Sequence, residues 1–422
     1  MSKKPVATSK LSKQSASPRP KNVPRADGRQ RLLTARRNAR MARSAHAYVR
    51  GSTTRFYEWL DGIEGHTLPE GPAVWICGDC HTGNLGPVAD SHGRVEIQIR
   101  DLDQTVIGNP AHDLIRLGLS LATAARGSDL PGVTTVHMME ALADGYERAF
   151  DDSAGESDVH AEKPEVVRVV MKEAIRRSWR HLAEERIEDI EPCIPLGSRF
   201  WPLEKPERRE IDKLFTKASI AALATALRGA GAEAEVQVLD AAYWVKGCSS
   251  LGRLRYAVLL DIDGAAADGG DPCLIDIKEA AQAAAPRYSG VRMPRDNAER
   301  VVEGARHLSP SLGERMRSAR LADRPVVLRE LLPQDMKLTI EQLTRDEATK
   351  AARFLALVVG KAHARQMDLA ERKAWLGELR KNRSKTLDAP GWLWTSIVQL
   401  VSSHAAGYLE HCRKYATGAG ED

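Results

Sequence analysis

The chain has 422 residues, 42% hydrophobic and 28% charged, an ordinary globular composition in a length sufficient for two lobes. No apolar run reaches the ~18–20 residues that span a bilayer, and six cysteines (Cys77, Cys80, Cys193, Cys248, Cys273 and Cys412) are too few for a disulfide framework. The net charge of +5 hides an asymmetry: residues 1–50 carry 14 Lys/Arg against the single Asp27, which leaves the remaining chain at −8. Residues 1–27, basic and rich in Ser and Pro, read as a disordered tail. No apolar segment follows that tail, so a secretory signal is not expected and a cytoplasmic location is. The acidic remainder argues against a nucleic-acid-binding fold and leaves the tail to meet nucleic acid weakly at most.

In chain order, residues 30–62 read as an arginine-rich helix that ends in the aromatics Phe56, Tyr57 and Trp59. Ala73 to Cys77 is a short apolar run, a buried strand that feeds a Gly-Asp turn. Val95, Ile97 and Ile99 alternate with polar residues, as in a second strand that ends at Asp101. Gly108-Asn109-Pro110 breaks the chain before a helix that opens near Asp113. Residues 135–231 read as mostly helical, with breaks near Gly155 and across Pro192–Pro206. From about 235 to 277 short β-rich runs follow one another between Gly/Asp turns. Asp296 or Asn297 then caps a helix through Leu308, Val326 to Leu328 is another strand, and helical patterns return from about 341.

Gly78-Asp79-x-His81-x-x-Asn84 sets an Asp and an Asn five residues apart in a loop after a buried strand, and a second strand ends in Asp101-Leu102-Asp103. Phosphoryl transfer needs such a set: one carboxylate orients the attacking hydroxyl and takes its proton, while an amide oxygen and a second carboxylate hold Mg2+ against nucleotide phosphates. Further on, Lys246-Gly247-Cys248-Ser249-Ser250-Leu251-Gly252 lies between two strand-like runs, and its glycines would let the backbone approach phosphates closely. Lys278 ends an apolar strand, the position of a lysine that clamps the α- and β-phosphates. Glu303, mid-helix, is the candidate partner for that lysine. Cys77-Gly78-Asp79-Cys80-His81 also satisfies the Cys-x-x-Cys-His pattern of haem attachment. Haem attachment is an exported chemistry at an exposed helix, and a zinc site here lacks a second ligand pair.

The loop and strand end resemble the catalytic and metal-binding motifs of aminoglycoside-phosphotransferase-like kinases, with Cys77 where those enzymes usually have His. The resemblance implies that Asp113 caps its helix and braces the loop. Here the loop and metal Asp precede the glycine turn and lysine, the order produced by cutting a kinase before its catalytic loop and joining its ends. The expected fold is therefore α+β, a protein-kinase-like two-lobe fold in circularly permuted order. Residues 28–232 would form a helical lobe, 233–335 a β-rich nucleotide lobe, and 336–422 a return to the helical lobe.

Arg43-Ser44-x-His46-x-Tyr48-x-Arg50-Gly51, the 78–86 loop, Asp101-Leu102-Asp103, the Gly247–Gly252 turn, Lys278-Glu279-Ala280 and Ala362-His363-Ala364-Arg365 are similar, over about residues 28–370, to the bacterial domain-of-unknown-function 2252 family. Val49, Leu102 and Gln104 depart from its pattern. The combined expectation is an ATP- and Mg2+-dependent phosphotransferase. Asp79 and His81 are its catalytic candidates, Asn84, Asp101 and Asp103 its metal ligands, and Gly247, Ser249, Ser250, Gly252, Lys278 and Glu303 its nucleotide site. Its partners would be a nucleotide and an acceptor, small molecule or protein, with no membrane involved. The alternatives are a non-catalytic nucleotide-binding regulator and an adenylyl transferase on the same fold.

Overall fold

The computed structural model describes residues 24–63, 68–90, 92–151, 163–177, 193–226, 234–248, 250–264, 272–336, 338, 344–381, 383 and 388–416. Three helices come first, α1 (Ala26–Arg43), α2 (Ala45–Gly51) and α3 (Thr53–Asp61), in place of one continuous helix. Ser44 makes the first break: its backbone is extended and its side chain accepts from Ala47 N–H, capping α2. Strand β1 (Val74–Ile76) pairs antiparallel with β4 (Val106–Gly108), and β2 (Leu85–Ala89) with β3 (Val95–Ile99). Helices α4 (Ala111–Gly127), α5 (Gly132–Arg148) and α6 (Glu165–Arg176) follow.

The two-residue strand β5 (Phe200–Trp201) falls inside the expected proline break and precedes α7 (Lys205–Phe215) and α8 (Ala218–Ala226). Next come β6 (Val236–Trp244), β7 (Arg255–Ile262) and β8 (Cys273–Glu279). Helix α9 (Asn297–Leu308) is capped as expected by Asp296, which accepts from Ala298 and Glu299 N–H. After the short α10 (Pro310–Gly313) run β9 (Met316–Leu321) and β10 (Arg324–Glu330). The chain closes with α11 (Arg345–Ala364), α12 (Leu369–Arg380) and α13 (Gly391–Tyr415).

The architecture is α+β. Six strands form an antiparallel sheet in the order β5-β6-β7-β8-β10-β9. Alternation along β7 buries both faces: Tyr256, Val258 and Leu260 meet Leu33 of α1 and Ile211 and Phe215 of α7, while Ala257 and Leu259 meet Trp244 and Leu331. The expected boundary near 232 therefore does not follow the packing, because apolar residues of α1, α7 and α8 cover this sheet. The larger core gathers α4, α5, α9, α11 and α13 around β1 and β4. Leu114, Ile115, Leu117 and Leu121 of α4 are fully enclosed there, each stabilising by about 1.5–3 kcal/mol. Among the described residues, no helix is long and apolar enough to cross a membrane.

Candidate active site

The segment after β1 is held from two sides. Asp113, in the first turn of α4, accepts from Cys77 N–H at 2.6 Å and Gly78 N–H at 2.9 Å. It braces the loop, as the resemblance implied, but makes no cap for its own helix. A carboxylate only accepts, so His363 of α11 presents an Nε2–H to it at 3.2 Å, and His363 Nδ1 takes the hydroxyl of Tyr146 at 2.9 Å. From the other side Tyr57 donates to Gly78 O at 2.7 Å. Gly78 has φ +73, and a Cβ there would lie 2.2 Å from Gln104 O, so only glycine fits. Cys77 and Cys80 are wholly enclosed. Their mutual hydrogen bond and burial push the Cys77 thiol up; at Cys80 that bond lowers, but burial together with the charges of Asp113 and Asp79 outweighs it and the thiol is also raised. Buried thiols of this kind do not fit haem attachment or a zinc thiolate. Among the described residues no three His, Cys, Asp or Glu side chains cluster to hold a metal.

Asp79 follows, buried, with Oδ1 accepting from Arg116 Nε at 2.9 Å. Burial raises its carboxyl, and Arg116 and a hydrogen bond from Thr53 offset part of that rise. Arg116, on α4, is itself fully enclosed and also donates to Val49 O. The other Asp79 oxygen stands 4.0 Å from His81 Nε2. Burial, then Arg50 and Arg116, hold His81 well below the ordinary histidine range. The neutral imidazole is thereby favoured. Asn84 donates its amide N–H to Asp79 O at 2.9 Å, so its amide oxygen is the atom that could face a cation.

Lys278 of β8 reaches the residues after β3. Its Nζ lies 2.5 Å from Asp103 Oδ2 and 3.3 Å from Asp101 Oδ1. Burial opposes the charge on Asp101, but Lys278 and Arg255 outweigh it and hold the carboxyl below the usual range. Asp103 goes the other way, raised by burial and by its neighbour Asp101. Two small cavities border the Asp101 and Asp103 carboxylates. One of about 30 Å3 is lined by Thr53, Asp79, Asn84, Asp101, Asp103 and Arg253, and one of about 70 Å3 includes Arg100, Arg255, Asp276 and Arg329. The expected space for a triphosphate is thus not open: ligand sites run to about 300–1,000 Å3. The lysine ammonium fills the gap between the carboxylates.

Two nucleotide-site expectations change. Glu303 sits on the exposed side of α9 beside Arg306 and His307 at 3.3 and 3.4 Å, not beside Lys278. The helix turns Arg300 inward instead, where it donates to Thr105 O, to Asp103 O at 3.0 Å and to Ala281 O at 2.9 Å. The glycine turn is folded onto itself and α1. Gly247 and Gly252 have φ of +95 and +97, Arg40 donates to Gly247 O at 3.0 Å, and the buried Ser250 hydroxyl donates to Lys246 O at 3.4 Å. Ser249 lies outside the described residues. Arg253, just past the turn, supplies the charge at the cavity. Arg116, Arg253 and Arg300 were not among the expected residues, since nothing local in the sequence marks an arginine as inward-facing.

No curated protein and no solved structure matches the chain. A family model described as an uncharacterized protein conserved in bacteria (DUF2252) matches residues 29–414, and the chain belongs to that family.

Proposed function

We propose that the protein is an ATP- and Mg2+-dependent phosphotransferase of kinase-like fold in permuted order. One observation carries this reading: Lys278, 177 positions after Asp101, meets it at 3.3 Å, and Asp79 and Asn84 line the same cavity as Asp101 and Asp103. The arrangement of the sheet supports it further. The glycine turn joins β6 to β7, Lys278 lies on the next strand, and α9 follows before β9 and β10, the sequence of parts that a kinase nucleotide lobe uses.

The donors suit Mg2+. Asn84, Asp101 and Asp103 offer only oxygen, and this ion commonly binds through one or two carboxylates, phosphates and water without an all-protein cage. Bound Mg2+ would neutralise charge on the transferring phosphoryl group. Asp79, held in one orientation by Arg116 and Thr53, aims an acceptor hydroxyl and takes its proton. Lys278 exchanges its carboxylate partners for the nucleotide phosphates. That exchange requires the sheet and the helical core to part, because the cavities bordering Asp101 and Asp103 are too small for a nucleotide.

The test is calorimetry with Mg·ATP on the full chain, followed by mass spectrometry of candidate acceptors and of the protein itself. A gain of about 80 Da marks phosphate and one of about 329 Da marks AMP. Binding with neither product would favour a nucleotide-binding regulator. Absence of binding to any nucleotide with Mg2+ would sink both readings.

A further inference from the structure

Arg50, the penultimate residue of α2, lies flat against the catalytic loop. A Cβ built on Gly83 would stand 3.0 Å from its Cζ and 3.1 Å from its Nε, so the glycine makes the space the guanidinium occupies. Its Nε is buried and has no hydrogen-bond partner, and no carboxylate pairs with it among the described residues. The groups that share its surroundings do not answer its charge. Burial disfavours a charge on His81, and the Cys248 thiol of the glycine turn feels the positive charges of Arg50, Arg40 and Arg37. Two further buried nitrogens near Asp79 are unpartnered: His81 Nδ1, on a residue 4% exposed, and Arg116 Nη1, on one fully enclosed. Of the site's carboxylates, Asp79 is taken by Arg116 Nε, and Asp101 and Asp103 lie on the other flank, where Lys278 takes them.

A half-buried guanidinium with no counter-charge is costly unless something anionic completes it. Arginine matches phosphate with paired N–H donors. The rim arginines Arg37 and Arg40 add charge on the same side, which favours a dianion over a single carboxylate. We propose that this flank is the acceptor site and that the acceptor is a small hydroxyl compound already bearing a phosphate, held by Arg50 with Arg37 and Arg40 at the rim. This rests on the phosphotransferase reading. The acceptor hydroxyl oxygen bonds to the γ-phosphorus of ATP, the bond from that phosphorus to the β,γ-bridging oxygen breaks, and ADP leaves. The hydroxyl proton passes to Asp79, giving a doubly phosphorylated product.

Calorimetry on the full chain with inorganic phosphate, acetate and Mg·ATP as separate probes tests the assignment, using wild type, Arg50→Gln and Gly83→Ala. Gly83→Ala keeps the arginine but displaces its guanidinium. Wild type should bind phosphate at least tenfold more tightly than acetate, and should still bind it when saturated with Mg·ADP. Both variants should lose at least tenfold in phosphate affinity, and Arg50→Gln should hold Mg·ATP within about twofold of wild type. Phosphate binding that is absent in wild type, or unchanged in Arg50→Gln, would overturn the anion site and leave the phosphotransferase reading standing. Phosphate displaced by Mg·ADP, with Mg·ATP also lost in Arg50→Gln, would assign Arg50 to the nucleotide and overturn its acceptor role. Phosphate binding that depends on Arg50 in a protein that ignores Mg·ATP would overturn the acceptor role together with the phosphotransferase reading.

Discussion

The ammonium of Lys278 stands 2.5 Å from Asp103 and 3.3 Å from Asp101, joining the third long strand of the sheet to the residues that follow β3. Burial would lower the lysine's proton affinity, but Asp101 and Asp103 outweigh it and the charge is kept. Without the lysine the two carboxylates would face each other with no cation between them.

Lys278→Met should therefore lose Mg·ATP affinity at least tenfold and destabilise the fold by about 1–3 kcal/mol. That is less than the roughly 3–5 kcal/mol of a fully buried pair, because the Asp101 side chain is 43% exposed and water screens it. The freed carboxylates should also accept Mg2+, so thermal stability should rise with MgCl2 more in the variant than in wild type. Equal responses to MgCl2 in both proteins would remove Asp101 and Asp103 from the metal site.

Asp79→Asn should cut phosphoryl transfer by about 10²–10⁴-fold, the usual contribution of a positioned base, with Mg·ATP affinity little changed. The amide oxygen can still accept from Arg116 Nε, which the wild-type carboxylate meets at 2.9 Å, so the loop should keep its shape. Calorimetry and product formation on the same preparation separate the two effects. Loss of nucleotide affinity in this variant would move Asp79 from the acceptor to the donor side.

The loop at 78–84, Asp101 and Lys278 were legible because their signal is local: a short apolar strand, a turn that demands glycine, then a polar residue at fixed spacing; the bracing by Asp113 was implied only by the resemblance. Glu303 was misread because helical phase does not tell which polar residue faces a distant lysine. Val301, Val302 and Ala305 fill the core-facing stripe of α9, and Arg300, at its border, is the residue that turns inward. Arg116 and Arg253 carried no such signal, since their partners come from other elements. The break at 192–206 hid β5, a two-residue strand whose Phe200 and Trp201 pair with Trp244 and Tyr243. A pair so short has no periodicity to detect.

Glu303→Gln should change stability by less than about 0.5 kcal/mol, since both its ion pairs are exposed. Arg300→Met should cost at least about 2 kcal/mol, because it removes the donors to the buried Thr105 carbonyl and to Asp103 and Ala281 O. Urea denaturation of the two variants measures the contrast. If Arg300→Met were neutral and Glu303→Gln costly, the assignment of inner and outer faces to α9 would be wrong.

Asp335 ties the end of β10 to the strand that delivers Asp101. Arg315 reaches its two oxygens at 3.0 and 2.9 Å and Arg329 reaches one at 3.0 Å, while Arg100, next to Asp101, donates to the Asp335 carbonyl at 2.8 Å. Burial opposes the Asp335 charge, yet Arg315 and Arg329 outweigh it and hold the carboxyl below the ordinary aspartate value. A depressed carboxyl stabilises the fold above its unfolded pKa of about 3.9 and loses that contribution as pH falls toward the folded value. Asp335→Asn should therefore cost about 3–5 kcal/mol at pH 7, since it strands the enclosed Arg315. The gap from wild type should hold steady down to about pH 5 and narrow below pH 4. Because Arg100 and Asp101 are adjacent, Mg·ATP affinity should also fall at pH 7, where the variant is still folded. Urea denaturation of both proteins at pH 7, 5 and 3.5 gives the profile. A gap that stays constant to pH 3.5 would show that Asp335 acts through packing and not through its charge.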